Sequence, residues 1–324
     1  MKALQITAPG KSTIVDLPRP EPGPGEVLFR ITGVTTCPQW DLHLRHNEPM
    51  FIWNQPFTFP YPPDKPGHEA TGTVEAVGPD VSGIEPGQTV AVWAHGSAGE
   101  YGLYAQYGVA RAANLVVIPS GLPPEATAPT ELASCVAACF IMLREMDAVS
   151  GRDFAVSGLG PAGLVAVQLA RAEGARSVTG FDLLASRRSL ADSLGADATC
   201  DPREASAEKF PVRRGNLAFQ SGIDCVGAKT SVEFLMDRIQ DTLALFGVPR
   251  EPYAYEPRHW VGLRLCGYPG FKREAADWVA ELIASGELRL GPLTTHHLPF
   301  ERYEEAVDLL EKQEAIKVCF DPWA

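Results

Sequence analysis

Two short stretches hold the side chains best suited to chemistry. Pro66-Gly67-His68-Glu69-Ala70-Thr71-Gly72 sets an imidazole beside a carboxylate, next to glycines and leading into an alternating run that ends at Gly78. A histidine and an acid entering a strand in this way can present two metal-binding side chains at the mouth of a sheet. The second stretch, Gly158-Leu159-Gly160-Pro161-Ala162-Gly163, fits G-x-G-x-x-G between a short apolar strand and a helical run. Gly158 permits the tight turn, Gly160 lets backbone approach a pyrophosphate, and Gly163 permits close helix–strand packing. The pyrophosphate belongs on the helix N-terminus, where free amides and the dipole favour an anion. Asp182 ends the next strand, where a carboxylate can accept both ribose hydroxyls. It would repel a 2′-phosphate, which favours NAD, although Arg187 and Arg188 nearby keep NADP open. A metal corner followed by a nicotinamide site predicts hydride transfer at a Lewis-acid centre.

Composition bounds the scaffold for these groups. The chain has 324 residues, enough for two domains with cores of their own. Hydrophobic residues at 45% and charged residues at 21% are ordinary for a soluble globular protein. A net charge of −12 argues against nucleic acid or an anionic membrane as partner. The N-terminal Met1-Lys2-Ala3-Leu4-Gln5-Ile6 reads as a first strand rather than a signal peptide. No stretch is expected to supply the roughly 20 apolar residues of a membrane span. The 7 cysteines are scattered and odd in number, which suits reduced thiols in the cytoplasm.

The first 120 or so residues are rich in proline and glycine and read as short strands, among them Glu26 to Val34 and Thr89 to Trp93. A helical run is expected from Glu125 to about Val149. Strand–helix alternation follows, from Phe154-Ala155-Val156-Ser157 through a helix over Gly163 to Glu173, to about Leu265. It predicts a parallel sheet with helices on both faces. Helices over Ala275 to Ser285 and Tyr303 to Gln313 precede a final strand at Ile316 to Phe320, expected to fold back onto the first domain.

With these motifs in place, the sequence resembles the medium-chain dehydrogenase/reductase superfamily, in its zinc-dependent alcohol and polyol dehydrogenase branch. The resemblance runs through Gly67-His68-Glu69 with Gly72 and Gly78, the Gly158 to Gly163 turn and Phe246-Gly247-Val248-Pro249. It continues to Leu298-Pro299-Phe300 and Glu314-Ala315-Ile316-Lys317-Val318. It implies an α/β protein with a GroES-like, partly closed β-barrel catalytic domain over 1–130, completed by 268–324. A Rossmann doubly wound parallel sheet would occupy 131–267. It also implies one catalytic zinc held by Cys37, His68 and a third ligand, with an open position for water or substrate. Glu131 matches the place that carries cysteine or glutamate in the family, and Glu69 serves instead in the polyol type. Plainer readings are a buried hydrophobe at Cys37, a turn residue at His68 and a helix N-terminal acid at Glu131. The segment Ala94 to Gly102 lacks the four cysteines of the family's structural zinc lobe, so no structural zinc is expected. The Val248-Pro249 backbone is expected to abut the nicotinamide, and family resemblance suggests a homodimer or homotetramer.

Two departures touch the mechanism. The family's Cys-x-Ser/Thr-Asp becomes Cys37-Pro38-Gln39-Trp40-Asp41, so Gln39 stands where a proton-relaying hydroxyl is usual. An amide is no useful acid near neutral pH, which makes His43 the replacement relay, its plainer reading being a surface histidine after a turn. Asp41 is expected to orient a metal ligand. The long segment between Cys37 and His68 carries Phe51, Trp53, Phe57, Phe59 and Tyr61, readable as an apolar substrate wall, a dimer contact or a packed loop. The expected function is zinc- and NAD(H)-dependent interconversion of a secondary alcohol and its ketone, with a small-molecule substrate that is bulky or apolar. The alternatives are reduction of an activated C=C or C=N bond without catalytic zinc, and a catalytically silent dinucleotide-binding protein.

Overall fold

The computed structural model describes residues 1–51, 53–63, 65–94, 102–206, 208–212 and 219–324. Most of the Ala94–Gly102 segment, where the structural zinc lobe was sought, lies outside the described residues. The chain divides into two units. Unit 1 comprises 1–134, 276–286 and 290–324, and unit 2 comprises 135–275 and 287–289.

Unit 1 begins with strands β1 (Lys2–Ala8), β2 (Lys11–Asp16) and β3 (Glu26–Thr35), then helix α1 (Pro38–His46). Strands β4 (Glu69–Val77), β5 (Thr89–Val92), β6 (Tyr107–Arg111) and β7 (Leu115–Ile118) follow. Helix α2 (Thr130–Glu145) contains the division between units. Unit 2 alternates β8 (Asp153–Ser157), α3 (Pro161–Ala172), β9 (Ser177–Phe181), α4 (Ala185–Ser193) and β10 (Ala198–Cys200). It continues with β11 (Phe219–Asp224), α5 (Lys229–Met236), β12 (Ile239–Leu245) and β13 (Arg264–Gly267). Helix α6 (Arg273–Ser285) leads to β14 (Thr294–Pro299), α7 (Tyr303–Glu311) and β15 (Lys317–Asp321).

In unit 1 the sheet order is β14-β15-β3-β4-β5-β7, with β6 also paired to β3. Strand β3 is central because it bonds β15, β4 and β6, all antiparallel. Its Val27, Phe29, Ile31 and Val34 pack with Leu4, Tyr104, Phe300, Tyr303 and Phe320 in one apolar cluster. The C-terminal strand does return to this unit, between β14 and β3.

In unit 2 the order β10-β9-β8-β11-β12-β13 is parallel throughout. The first strand lies mid-sheet and the chain winds outward both ways, the doubly wound arrangement. Apolar strands such as Phe154-Ala155-Val156 are fully buried, as both covered faces of such a sheet require.

Two elements differ from expectation. The stretch after Cys37, not among the expected helices, is the helix α1. Pro38 fits the first helical position, where its missing N–H costs nothing, and Asn47 in the left-handed region (φ 52) ends the helix. The expected helix from Glu125 starts only at Thr130, because Pro129 disfavours helical backbone at Ala128 and the preceding turn is 3₁₀. Among the described residues one run, 124–145, is long and apolar enough by composition to cross a membrane, contrary to expectation. Its apolar window is 78% buried, so the fold itself uses that surface.

The glycine turn shows why two glycines are needed. Gly158 has φ 83, and a Cβ there would stand 2.4 Å from Val226 Cγ2. A Cβ at Gly163 would stand 1.7 Å from the Gly158 carbonyl oxygen. Gly163→Ala therefore has to push α3 off β8. Urea unfolding is expected to register a loss of about 1–3 kcal/mol or more, as for other overpacked contacts.

Candidate metal centre and dinucleotide turn

Cys37 lies at the N-terminus of α1, and its backbone is clamped there. Its N–H donates to Asp41 Oδ2 at 2.8 Å, while the Asp41 N–H donates to the Cys37 carbonyl at 2.9 Å. Asp41 is 1% exposed and also accepts the hydroxyls of Tyr104, at 2.9 Å, and Tyr303, at 2.9 Å. Burial pushes the Asp41 carboxyl up to about 6, against the tyrosine hydrogen bonds, the His68 charge and the Cys37 amide, which all favour the anion. Both phenols are pushed well above their usual range, by burial first and then by the charge of Asp41.

His68 immediately precedes β4. Ligand atoms of Cys37, His68 and Glu69 all lie within 4.8 Å of one another. Glu131, in the first turn of α2, places Oε2 4.0 Å from His68 Nε2. The structure thus brings together all four residues that the sequence singled out for metal binding. Burial alone would lower the His68 imidazolium. The charge and hydrogen bond of Cys37, followed by Glu131 and Glu69, outweigh it and raise the ring to about 10. So much negative charge around one imidazole is what a divalent cation neutralises, and the donor set of sulfur, nitrogen and carboxylate oxygen suits zinc.

Glu69 differs from Glu131 in its partners. It is 0% exposed, and Lys317 Nζ donates to Oε1 at 2.7 Å and to Oε2 at 2.6 Å. Thr35, opposite it in the β3–β4 register, donates its hydroxyl to Oε2 at 3.0 Å. Lys317 is also fully buried and gives a third hydrogen bond to the Thr36 carbonyl at 2.6 Å. Sequence reasoning gave Lys317 no role. A signal was available, since it is the one basic residue within the apolar run Ala315 to Phe320.

The residues considered for proton transfer are interior. Gln39 Nε2 is buried without a hydrogen-bond partner among the described residues. His43 is 6% exposed, not at the surface, and its Nδ1 lies 2.9 Å from the Pro49 carbonyl. A carbonyl only accepts, so Nδ1 carries the proton and Nε2 is the basic nitrogen of the neutral ring.

In unit 2, Gly160 caps α3 and Pro161 opens it. A Cβ built at Gly160 would meet nothing nearer than Arg187 Nη1, at 3.9 Å, so the space next to this glycine is open. Pro161, Ala162 and Gly163 form the first helical turn. Asp182 follows β9 directly. Its Oδ2 accepts the Leu159 N–H at 2.8 Å and its Oδ1 the Leu184 N–H at 2.8 Å, with Arg187 Nη1 3.9 Å away. Arg188 donates instead to the carbonyls of Asp182 and Leu183. Val248 follows β12, and its carbonyl packs on the backbone at Gly227.

Comparison with known proteins gives the family. The alcohol dehydrogenase GroES-like domain matches residues 23–120, and the zinc-binding dehydrogenase domain matches 161–284. L-threonine 3-dehydrogenase of Pyrococcus horikoshii is 30% identical over 99% of this chain and 98% of its own. The chain belongs to the zinc-binding dehydrogenase family. Human sorbitol dehydrogenase is 28% identical over 98% of this chain and 94% of its own. Among solved structures, the alcohol dehydrogenase TADH from Thermus sp. ATN1 superposes with a TM-score of 0.82 at 22% identity, covering 99% of both chains. This family member has a GroES-like domain joined to a Rossmann-like domain, and it is a zinc-dependent, NAD(P)-linked oxidoreductase of CH–OH donors.

Two predictions follow from the electrostatics. Lys317→Met strands the Glu69 charge and is expected to cost about 3–5 kcal/mol in unfolding experiments. Adding Glu69→Gln removes that charge and is expected to recover much of the loss. In zinc-stripped protein, the His68 proton stabilises the fold fully below about 6.5, and that contribution fades as pH rises through about 10. Zinc must displace this proton. Titration calorimetry at pH 7 in buffers of different ionisation enthalpy should therefore report net proton release, and zinc affinity should rise with pH.

Proposed function

We propose that this protein interconverts a secondary alcohol and its ketone with NAD(H), at one zinc held by Cys37, His68 and Glu131. The observation that carries this reading is the contrast between the two glutamates. Lys317 already neutralises Glu69, whereas Glu131 reaches the His68 ring nitrogen itself. A zinc held by Cys37, His68 and Glu131 would supply Lewis acidity at the substrate oxygen, and a nicotinamide bound in unit 2 would supply the hydride chemistry.

The chain's own residues set the conditions for that chemistry. Asp41 fixes the backbone that bears the thiol. Glu69, locked by Lys317 and Thr35, stays beside His68 without taking a coordination place. Gln39 cannot pass on a proton, and His43 Nε2 is the relay we assign, with Nδ1–H anchored on Pro49. In unit 2, the Gly158 to Gly163 turn binds the pyrophosphate, Asp182 the ribose hydroxyls, and the Val248-Pro249 backbone supports the nicotinamide ring. The anchored carboxylate of Asp182 favours NAD over NADP, with Arg187 softening the discrimination. The thiol, imidazole and carboxylates together favour alcohol chemistry over C=C reduction. We also propose a cytoplasmic homodimer or homotetramer; for the compartment, the support is that none of the cysteines forms a disulfide.

The test combines metal analysis with a screen of alcohols and ketones followed by NADH and NADPH absorbance. About one zinc per chain is expected, with Cys37→Ala losing both metal and at least about 100-fold in activity. Full activity in Cys37→Ala would overturn the assignment.

A further inference from the structure

A series of aromatic rings in contact begins at the candidate metal centre. Trp40, between Cys37 and Asp41 in chain order, stands edge-on to His68 with ring centroids 5.7 Å apart and planes at 77°. Phe57 stands edge-on to Trp40 at 5.9 Å, and Tyr61 edge-on to Phe57 at 5.5 Å. All three aromatics are only partly buried while packing against the core of unit 1. The core therefore backs and fixes them without covering them. Trp40 is half-buried at the imidazole that the proposed function gives to zinc.

We propose that Trp40, backed by Phe57, is the specificity-determining wall of the substrate site, selecting carbonyl and carbinol substrates with a flat apolar substituent such as an aryl group. This rests on the reading that the reaction takes place at Cys37, His68 and Glu131. Offset and edge-to-face stacking gives an aryl group a partner that a short alkyl chain cannot use. The hydroxyls of a polyol, desolvated against indole and phenyl faces, find no hydrogen bond there and are rejected. Because the wall touches the spectator substituent and not the reacting oxygen, its contribution falls on binding rather than on turnover.

The test measures ketone binding directly, by calorimetry on the zinc-loaded full-length protein, with acetophenone and 2-butanone as probes. Wild type is expected to bind acetophenone the more tightly. Trp40→Leu is expected to weaken acetophenone about ten-fold while leaving 2-butanone within about two-fold and zinc content at the wild-type value. Phe57→Ala removes the backing and should shift the same ratio in the same direction by less, which serves if the tryptophan variant fails to fold. An unchanged acetophenone-to-butanone ratio in a folded, zinc-loaded variant overturns the proposal, as does a wild type that binds 2-butanone better. NADH oxidation with both ketones is followed in parallel. A ratio that shifts as expected while neither ketone is reduced upholds the wall and sinks the dehydrogenase reading instead.

Discussion

The buried pair of Lys317 and Glu69 is the constraint around which unit 1 is organised. Both side chains are out of water, at 0% and 1% exposure. Removing such ions from solvent costs several kcal/mol each, and attraction repays it only when geometry is close and the remaining groups are bonded. Here both carboxylate oxygens meet Nζ, and Thr35 and the Thr36 carbonyl take the remaining contacts. These partners come from β3 and the residue after it, β4 and β15, and the widest contact, Lys317 to Thr36, spans 281 residues. The last strand is therefore tied to the start of β4, one residue from His68. A site assembled early in the chain is locked only when its end arrives.

The second buried acid, Asp41, is satisfied in another way. It has two phenols and one amide where Glu69 has an ammonium. Hydrogen bonds favour its charge but do not cancel it, and burial keeps its carboxyl raised. Each proposed metal ligand of the two thus has a buried acid beside it: Asp41 for Cys37, Glu69 for His68. One is neutralised locally by a cation and the other is not. The raised imidazolium of His68 comes first from Cys37 and then from Glu131 and Glu69, the groups whose sulfur and oxygen donors suit the place for zinc.

Much of this was legible in the sequence, for physical reasons that differ by element. The Gly158 to Gly163 turn could be read because close backbone approach leaves glycine as the one residue that fits. The doubly wound sheet could be read because covered parallel strands need short apolar runs. His68 and Glu69 were visible as a pair, yet their different fates were not, since the partner of Glu69 lies on the last strand. The tyrosines that hold Asp41 gave no signal, because buried aromatics in this chain are common and a phenol's hydrogen bond has no periodicity. Helix α1 gave little signal because it is short and opens on Pro38, a residue favourable at the first helical position. The aromatic loop was noticed without Trp40, which only the contact with His68 singles out.

The zinc we propose would be held by a single thiolate, an imidazole and a carboxylate. X-ray absorption at the zinc edge of the loaded protein tests it most directly. One sulfur at about 2.3 Å, with nitrogen and oxygen neighbours at about 2.0–2.2 Å, is the result predicted. Two or more sulfurs, or a shell of light atoms with no sulfur, would contradict it.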